Sequence, residues 1–396
     1  MPSSNKVRKV TSENYPTDAG REGELIFRLV YQQAGCKKPF SRLWLSSMED
    51  SAIRKGFANL KPSTEYDALY NAALCRECAD WMVGINATRL FSCLYGQPLA
   101  VGRVMTPTLA MTVVREAAIS AFVPEKFYTV TLTLAEGGTA SSKRFAQKSE
   151  AEILLSACRK EASTAVQKVE RKEKTENPPL LYDLTTLQRD ANRLLGYSAQ
   201  QTLNYAQSLY EKKIITYPRT DSRFLTEDMA DSLPGLVAES ARAFGVEDDV
   251  AIHAQQVIDG SKVTDHHALL PTASMAKADL SALPAGERNI LRLIAARLLC
   301  AVGEPHRYAE TTLTTICAGE EFSAKGKVVL SEGWKTVERK MLGDLLGKQK
   351  EAVVLPDVKE QSQCSVAGAE LKEGQTSPPK HFTEDICCER GIRNHP

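Results

Sequence analysis

The sequence predicts a multidomain α/β chain in which a helical module interrupts a strand-rich segment. Three observations carry that reading. A length of 396 residues, 43% of them hydrophobic, suits two to four globular units with cores of their own. The hydrophobic period changes from helical over residues 67–121 to two at "FYTVTLTLAEGG". Helical patterns then return, and strand patterns come back only at "ETTLTTICA" and "KVVLSEGW".

In chain order, Leu25, Ile26, Leu29 and Val30 recur at helical spacing after "TDAGREGE", and Gly35 follows. This predicts a helix from about Glu22 to Ala34 with the acidic motif at its N-terminus. Residues 67–121 read as helix with breaks at Gly96-Gln97-Pro98 and at Pro107. In the strand that follows, Val130, Leu132 and Leu134 alternate with threonines before a Gly-Gly turn. Leu184, Leu187, Ala191, Leu194 and Leu195 then form one helical stripe. Asp183 is a candidate N-cap, Gly196 a candidate stop, and Ser198 with Gln201 fits a capping box for the next helix. Two short helices thus lead into "IITYPRTDS". The helical module spans about 177–304, and two chain connections make such an insert a unit able to move on a natural hinge.

Composition narrows the class only coarsely. Fifty basic residues against 49 acidic leave a net charge of +1, so a nucleic-acid role requires a locally basic groove. No apolar run is long enough to cross a bilayer, and "MPSSNKVRKV" lacks the apolar core of a secretory signal, so a soluble, cytoplasmic protein is the expectation. Of the ten cysteines, Cys75 and Cys78 form a CxxC within a helical pattern that has no second pair at zinc-finger distance. Buried free thiols are expected instead.

The sharpest chemical constellation is "ITYPRTDSRFL". Tyr217, Arg219 and Asp221 lie at spacing two, so in an extended segment a phenol, a guanidinium and a carboxylate face one side. A tyrosine oxygen attacking a phosphodiester exchanges one ester for another, and an arginine suits the phosphate. The plainer account is a buried tyrosine at a strand end beside a surface arginine. Asp18 and Glu22 in "TDAGREGE" sit where carboxylates at a strand end and helix start bind Mg²⁺. Alternatively they are simply favourable acids in a first helical turn. "DHHALLPT" gives His266 and His267 in a loop-like setting, where a histidine can bind or polarise a phosphate, although a satisfied loop histidine is the commoner case. Arg76, Arg89 and Arg103 are isolated arginines in helical patterns, available to a DNA path or to ordinary pairing.

Taken together and in this order, "TDAGREGELIFRLVY", "LWLSSMEDSAIRKGFANLKP", "CRECADWMVGINATRL", "VGRVMTPTLAM", "ITYPRTDSRFL", "DHHALLPT" and "GWK" resemble the type IA DNA topoisomerases, in particular the topoisomerase III branch of bacterial mobile elements. The resemblance implies an incomplete toroid. Its parts are the C-terminal half of a TOPRIM domain (1–66), a first part of a helical DNA-binding domain (67–122), two parts of a β-rich arch (123–176 and 305–358), the inserted helical module with the catalytic tyrosine (177–304), and the truncated start of a returning helical domain (359–396). It further implies that Tyr217 is the nucleophile, that Arg219 and His266 serve the phosphate, that Arg76, Asp80, Arg103 and Asp221 serve DNA binding, and that Asp18 and Glu22 hold Mg²⁺. The implied partner of the monomer is single-stranded or negatively supercoiled DNA, relaxed without ATP through a 5′-phosphotyrosine.

The chain also departs from the pattern. Gly20 stands where the family's acidic run has a second aspartate, and Met105 where a glutamine is common. The strand with a catalytic glutamate and following lysine that opens a TOPRIM domain has no counterpart before Asp18, where Lys9 and Glu13 lack that context. "ICCERGIRNHP" departs from the family at the other end, so the reading is of a fragment. Its alternative function is to hold single-stranded DNA without cleaving it. A TOPRIM nuclease or primase has no need of "YPRTDS".

Overall fold

The structure, a computed structural model, describes residues 20–44, 50–135, 137–246, 252–263, 265–347, 355 and 358–383. The first elements in chain order are α1 (Arg21–Gln33), β1 (Ser41–Arg42), α2 (Asp50–Ala58), β2 (Lys61–Pro62), α3 (Asp67–Tyr95) and α4 (Met105–Ser120). Next come β3 (Lys126–Leu134), β4 (Thr139–Ser142), α5 (Lys148–Cys158), β5 (Ser163–Glu176), α6 (Leu184–Leu195), α7 (Ala199–Glu211), α8 (Leu233–Phe244) and α9 (Ala285–Ala301). The chain continues with β6 (His306–Cys317), β7 (Glu320–Ser331), α10 (Lys335–Leu342) and β8 (Gln363–Gln375). Two compact units result. One draws on the chain up to Thr112, on Pro179–Val302 and on the chain from Phe382, the other on Val113–Pro178 and Gly303–His381.

In the first unit, α1 ends as its sequence predicts, with Gly35 left-handed at φ +63° just beyond it. Its buried side is not the aliphatic stripe. Ile26, Leu29 and Val30 are exposed, and the helix buries Gly23, Glu24, Leu25 and Phe27. Glu24 is buried because two guanidinium groups meet it, Arg42 at 2.6 Å and Arg28 at 2.7 Å, which offsets the cost of removing a carboxylate from water. Arg28 also reaches Asp67 at 2.7 Å and donates to the Ser63 carbonyl at 2.8 Å, so α1 is fastened to the start of α3. The expected break at Gly96 holds, with φ +66° ending α3. Pro107 does not break anything. It lies in the first turn of α4, where a backbone N–H has no intrahelical acceptor and a proline costs little.

The helical module carries the predicted caps. Asp183 accepts from the Thr186 N–H at 2.6 Å, Ser198 Oγ accepts from the Gln201 N–H at 3.1 Å, and the Ser198 N–H donates to Gln201 Oε1 at 2.9 Å. Gly196 between them is left-handed at φ +70°. Leu187 and Ala191 of the stripe are fully buried. α9 buries Ile290, Leu291, Leu293, Ile294, Leu298 and Leu299, so apolar side chains all round the helix face packing and it forms the module's centre.

The second unit is a closed antiparallel barrel in the order β3-β4-β7-β6-β5-β8, with β8 pairing back onto β3. Val130, Leu132, Leu134, Val166, Leu313 and Phe322 fill it, and α5 adds Ala151, Leu154 and Leu155. Within this barrel Glu176, at the end of β5, pairs with His306, at the start of β6. The inserted module therefore leaves and re-enters the barrel at neighbouring positions. One boundary needs correcting: residues 363–375, read from sequence as part of a returning helical domain from 359, form β8. The stretch "SVAGAELKEG" carries small residues and charges where an alternating apolar pattern would have announced a strand.

Cysteine placement is mixed. Cys158, Cys300, Cys317 and Cys364 are buried free thiols as expected, but Cys75, Cys78 and Cys93 on α3 are exposed. No helix among the described residues is long and apolar enough to cross a membrane.

Candidate active site

Residues 214–225 run as an irregular segment between two other stretches of the module, bent at Ile214, Pro218 and Phe224 and bridged at Ile215 and Leu225. Its neighbours hold it through the Thr216 N–H to the Leu270 carbonyl (2.9 Å), Leu184 N–H to the Thr220 carbonyl (3.0 Å) and Ala268 N–H to the Phe224 carbonyl (3.0 Å). Burial alternates over residues 218–222, the stretch that follows the tyrosine. Pro218, Thr220 and Ser222 are buried, while Arg219 and Asp221 are exposed and Tyr217 is half-buried. The inward hydroxyls act as fasteners. Thr220 Oγ1 donates to the His266 carbonyl at 2.8 Å, and Ser222 Oγ to the Lys262 carbonyl at 3.0 Å. Arg223 Nε donates to the Leu181 carbonyl at 3.1 Å, tying the far end of the segment to the chain before α6.

The Tyr217 ring is held from two sides. Tyr210 of α7 meets it edge-on at 5.4 Å between centroids, and the His266 imidazole lies 4.4 Å away at 46°. The adjacent histidines are thereby separated in role: His267 is buried, with Nδ1 2.8 Å from the Ala268 carbonyl, and His266 faces the tyrosine. Arg219 makes no hydrogen bond or ion pair within the described residues, so its guanidinium is open to an incoming anion.

Of the acidic motif, Asp18 lies outside the described residues. Glu22, exposed in the first turn of α1, accepts from Arg76 NH1 of α3 at 3.0 Å and from Arg21 Nε at 3.3 Å. Asp80 and Arg103 pair with each other at 2.9 Å. Four of the predicted residues thus form two ion pairs. Among the described residues no group of three or more histidine, cysteine or acidic side chains is placed to hold a metal ion. With Glu22 engaged by two arginines, the described part of the motif does not fit Mg²⁺ by itself, and no chemical step is assigned to a metal.

The two motifs do meet at Gly20. This buried glycine precedes α1, and a Cβ placed on it would lie 2.2 Å from Oδ2 of Asp265, the residue before His266. Sequence reasoning passed over Asp265, Thr220, Ser222 and Tyr210. The first three were legible, because Asp265 opens the "DHH" triplet and the hydroxyls occupy the inward positions of the alternation that singled out Tyr217. Tyr210 sits seven residues earlier in another element and left no local signal.

Residues 64–386 match the family described as DNA topoisomerase. The chain belongs to that family. The matched span contains Tyr217, Arg219, Asp221 and His266 as well as Arg76, Asp80 and Arg103, whereas Asp18 and Glu22 precede it. DNA topoisomerase 3 of Bacillus subtilis (strain 168) is 39% identical over 390 residues, covering 93% of this chain and 52% of the relative. DNA topoisomerase 3 of Bacillus cereus is 38% identical over 387 residues with the same coverage. The chain spans about half the length of the curated relatives it matches. In three dimensions it is similar to full-length topoisomerase I from Thermotoga maritima, with a TM-score of 0.74 and 23% identity over 98% of this chain and 64% of that one. The multidomain α/β fold and the type IA topoisomerase III resemblance read from the motifs both agree with these matches.

Proposed function

We propose that this topoisomerase-family chain breaks one DNA strand by transesterification at Tyr217. The phenol oxygen attacks phosphorus, the bond to the 3′ oxygen breaks, and the phosphate stays on the tyrosine through its 5′ side while the departing 3′ oxygen takes up a proton. Ester is exchanged for ester, so resealing needs no ATP. Arg219 binds the phosphate and offsets charge in the transition state, and His266 serves the same phosphate from beside the ring. The observation that supports this most is the arrangement of the 214–225 segment. Its buried hydroxyls fix the register that leaves Tyr217 against His266 with Arg219 and Asp221 on the open side. Single-stranded or negatively supercoiled DNA is the substrate in this reading, relaxation is the outcome, and Arg76, Asp80 and Arg103 line the strand's path. Mg²⁺, if it takes part, has Asp18 and Glu22 as candidate ligands and would supply positive charge near the phosphate.

A second reading is that the chain holds single-stranded DNA without cutting it. The engagement of Glu22 by Arg76 and Arg21 favours it. Incubation with a labelled single-stranded oligonucleotide and Mg²⁺, followed by denaturing electrophoresis, separates the two. Protein-linked DNA that vanishes in Tyr217→Phe supports cleavage, whereas filter retention with no linked product in either protein supports binding alone.

A further inference from the structure

Gly20 adopts φ −166° and ψ 175°, extended backbone open to any residue, so conformation does not call for a glycine there. Space does. A Cβ would fall 2.2 Å from Asp265 Oδ2, 2.6 Å from its Cγ and 3.0 Å from Oδ1, so the whole carboxylate lies in the volume a side chain would fill. Gly20 is also the N-cap of the 13-residue α1 and has no side chain to offer the helix end. A carboxylate arriving there from elsewhere meets the positive end of the helix dipole. The charge that position 20 does not carry is thus brought by the tyrosine-bearing module, from the residue next to His266, whose ring lies against Tyr217.

We propose that Asp265 is a positioning residue. It seats the His266 loop in the notch left by Gly20 and so sets where Tyr217 stands relative to the acidic motif at the start of α1. The proposal rests on the reading of Tyr217 as nucleophile. It makes Gly20 and Asp265 one energetic unit, so substitutions at the two positions are strongly non-additive.

The test is a double-mutant cycle in the full chain, read by amide hydrogen exchange at residues 20–28 and 265–270 and by the yield of tyrosine-linked oligonucleotide. Asp265→Ala is expected to speed exchange in both segments, on the order of tenfold for coupled neighbours. Gly20→Ala should do the same in the wild-type background and nothing more when Asp265 is already alanine, because the three clashing atoms are gone. Asp265→Asn, which keeps the shape, should fall between wild type and Asp265→Ala. Asp265→Ala should also lower the linked product while leaving oligonucleotide retention on a filter unchanged. Equal cost of Gly20→Ala in both backgrounds, exchange confined to the 265–270 loop, or a wild-type yield of linked product in Asp265→Ala would each overturn the proposal. Absence of linked product in the wild type would instead count against Tyr217 as nucleophile, and the exchange cycle would still decide whether Asp265 is seated on Gly20.

Discussion

At the scale of single residues, the site separates groups that build from groups that act. Thr220 and Ser222 are buried and bonded to carbonyls, whereas Arg219, between Pro218 and Thr220, is exposed with no bond to any described residue. Arg219→Ala is therefore expected to leave the thermal midpoint nearly unchanged, as surface substitutions do, while slowing formation of the tyrosine-linked product by about 100- to 1000-fold, the size of losing one transition-state donor. Arg219→Lys should recover part of the rate but not the two-pronged grip on phosphate. The cysteines give a second residue-scale prediction. A hydrogen bond from the Lys38 backbone lowers the pKa of Cys36, whereas burial, with a bond to Cys317, pushes the Cys158 thiol up to about 12. The thiolate is the reactive form. Peptide mapping after brief alkylation near neutral pH should find Cys36 modified first and Cys75, Cys78 and Cys93 next. Cys158 and Cys317 should be spared until the chain is unfolded; early labelling of Cys158 would contradict the packing of α5 against the barrel.

At the scale of elements, a buried polar knot helps to hold the module that carries Tyr217. Tyr182 OH donates to Asp190 of α6 at 2.7 Å, Arg193 reaches the same carboxylate at 2.7 Å, and Arg297 of α9 bonds it while stacking 4.1 Å over the Tyr182 ring. Burial pushes the Asp190 carboxyl up, but the charge of Arg297 and the bonds from Arg193 and Tyr182 outweigh it, so its pKa is lowered. A lowered carboxyl stabilises the fold fully above its unfolded pKa of about 3.9, and that stability is lost as pH falls through the folded value. Thermal midpoints measured from pH 6 downward should drop less steeply below about pH 4 in Asp190→Asn than in wild type. Asp190→Ala, which leaves Arg297 largely buried and unpaired, should cost on the order of 3 kcal/mol at neutral pH. Elements marked by local chemistry were legible in the sequence: the Asp183 and Ser198 caps, the glycine stops, the alternation that follows Tyr217. Elements whose logic is tertiary were not. The buried side of α1 is set by Glu24 meeting Arg42 of β1 beside Arg28 of its own helix, which in turn pairs with Asp67 of α3, and β8 is a strand because β3 and β5 offer it edges. The acidic motif was legible as residues, but not the pairing of Glu22 with Arg76, which lies 54 positions away.

At the scale of the whole molecule, the barrel is complete while the long helices are bare. α3 is apolar around much of its circumference, a pattern that belongs to a buried helix, yet Ala73 is its only buried residue among those described. Trp81 is 66% exposed, Leu94 68% and, on α4, Val114 70%, with Val83, Leu90, Tyr95, Leu109 and Val113 similarly open. Scattered apolar residues are ordinary on a surface, but runs along two successive helices are of the kind that associate. The isolated chain is therefore expected to self-associate as its concentration rises, an effect that should persist at high salt because its origin is apolar rather than ionic. Sedimentation velocity across a concentration series should show growing species for the wild type and a smaller dependence for Trp81→Gln combined with Leu94→Gln and Val114→Gln. Since these side chains are exposed, the triple variant should keep its thermal midpoint. Should it instead unfold at a lower temperature, the helices are packed within the single chain, and their apolar faces are part of a core rather than an uncovered surface.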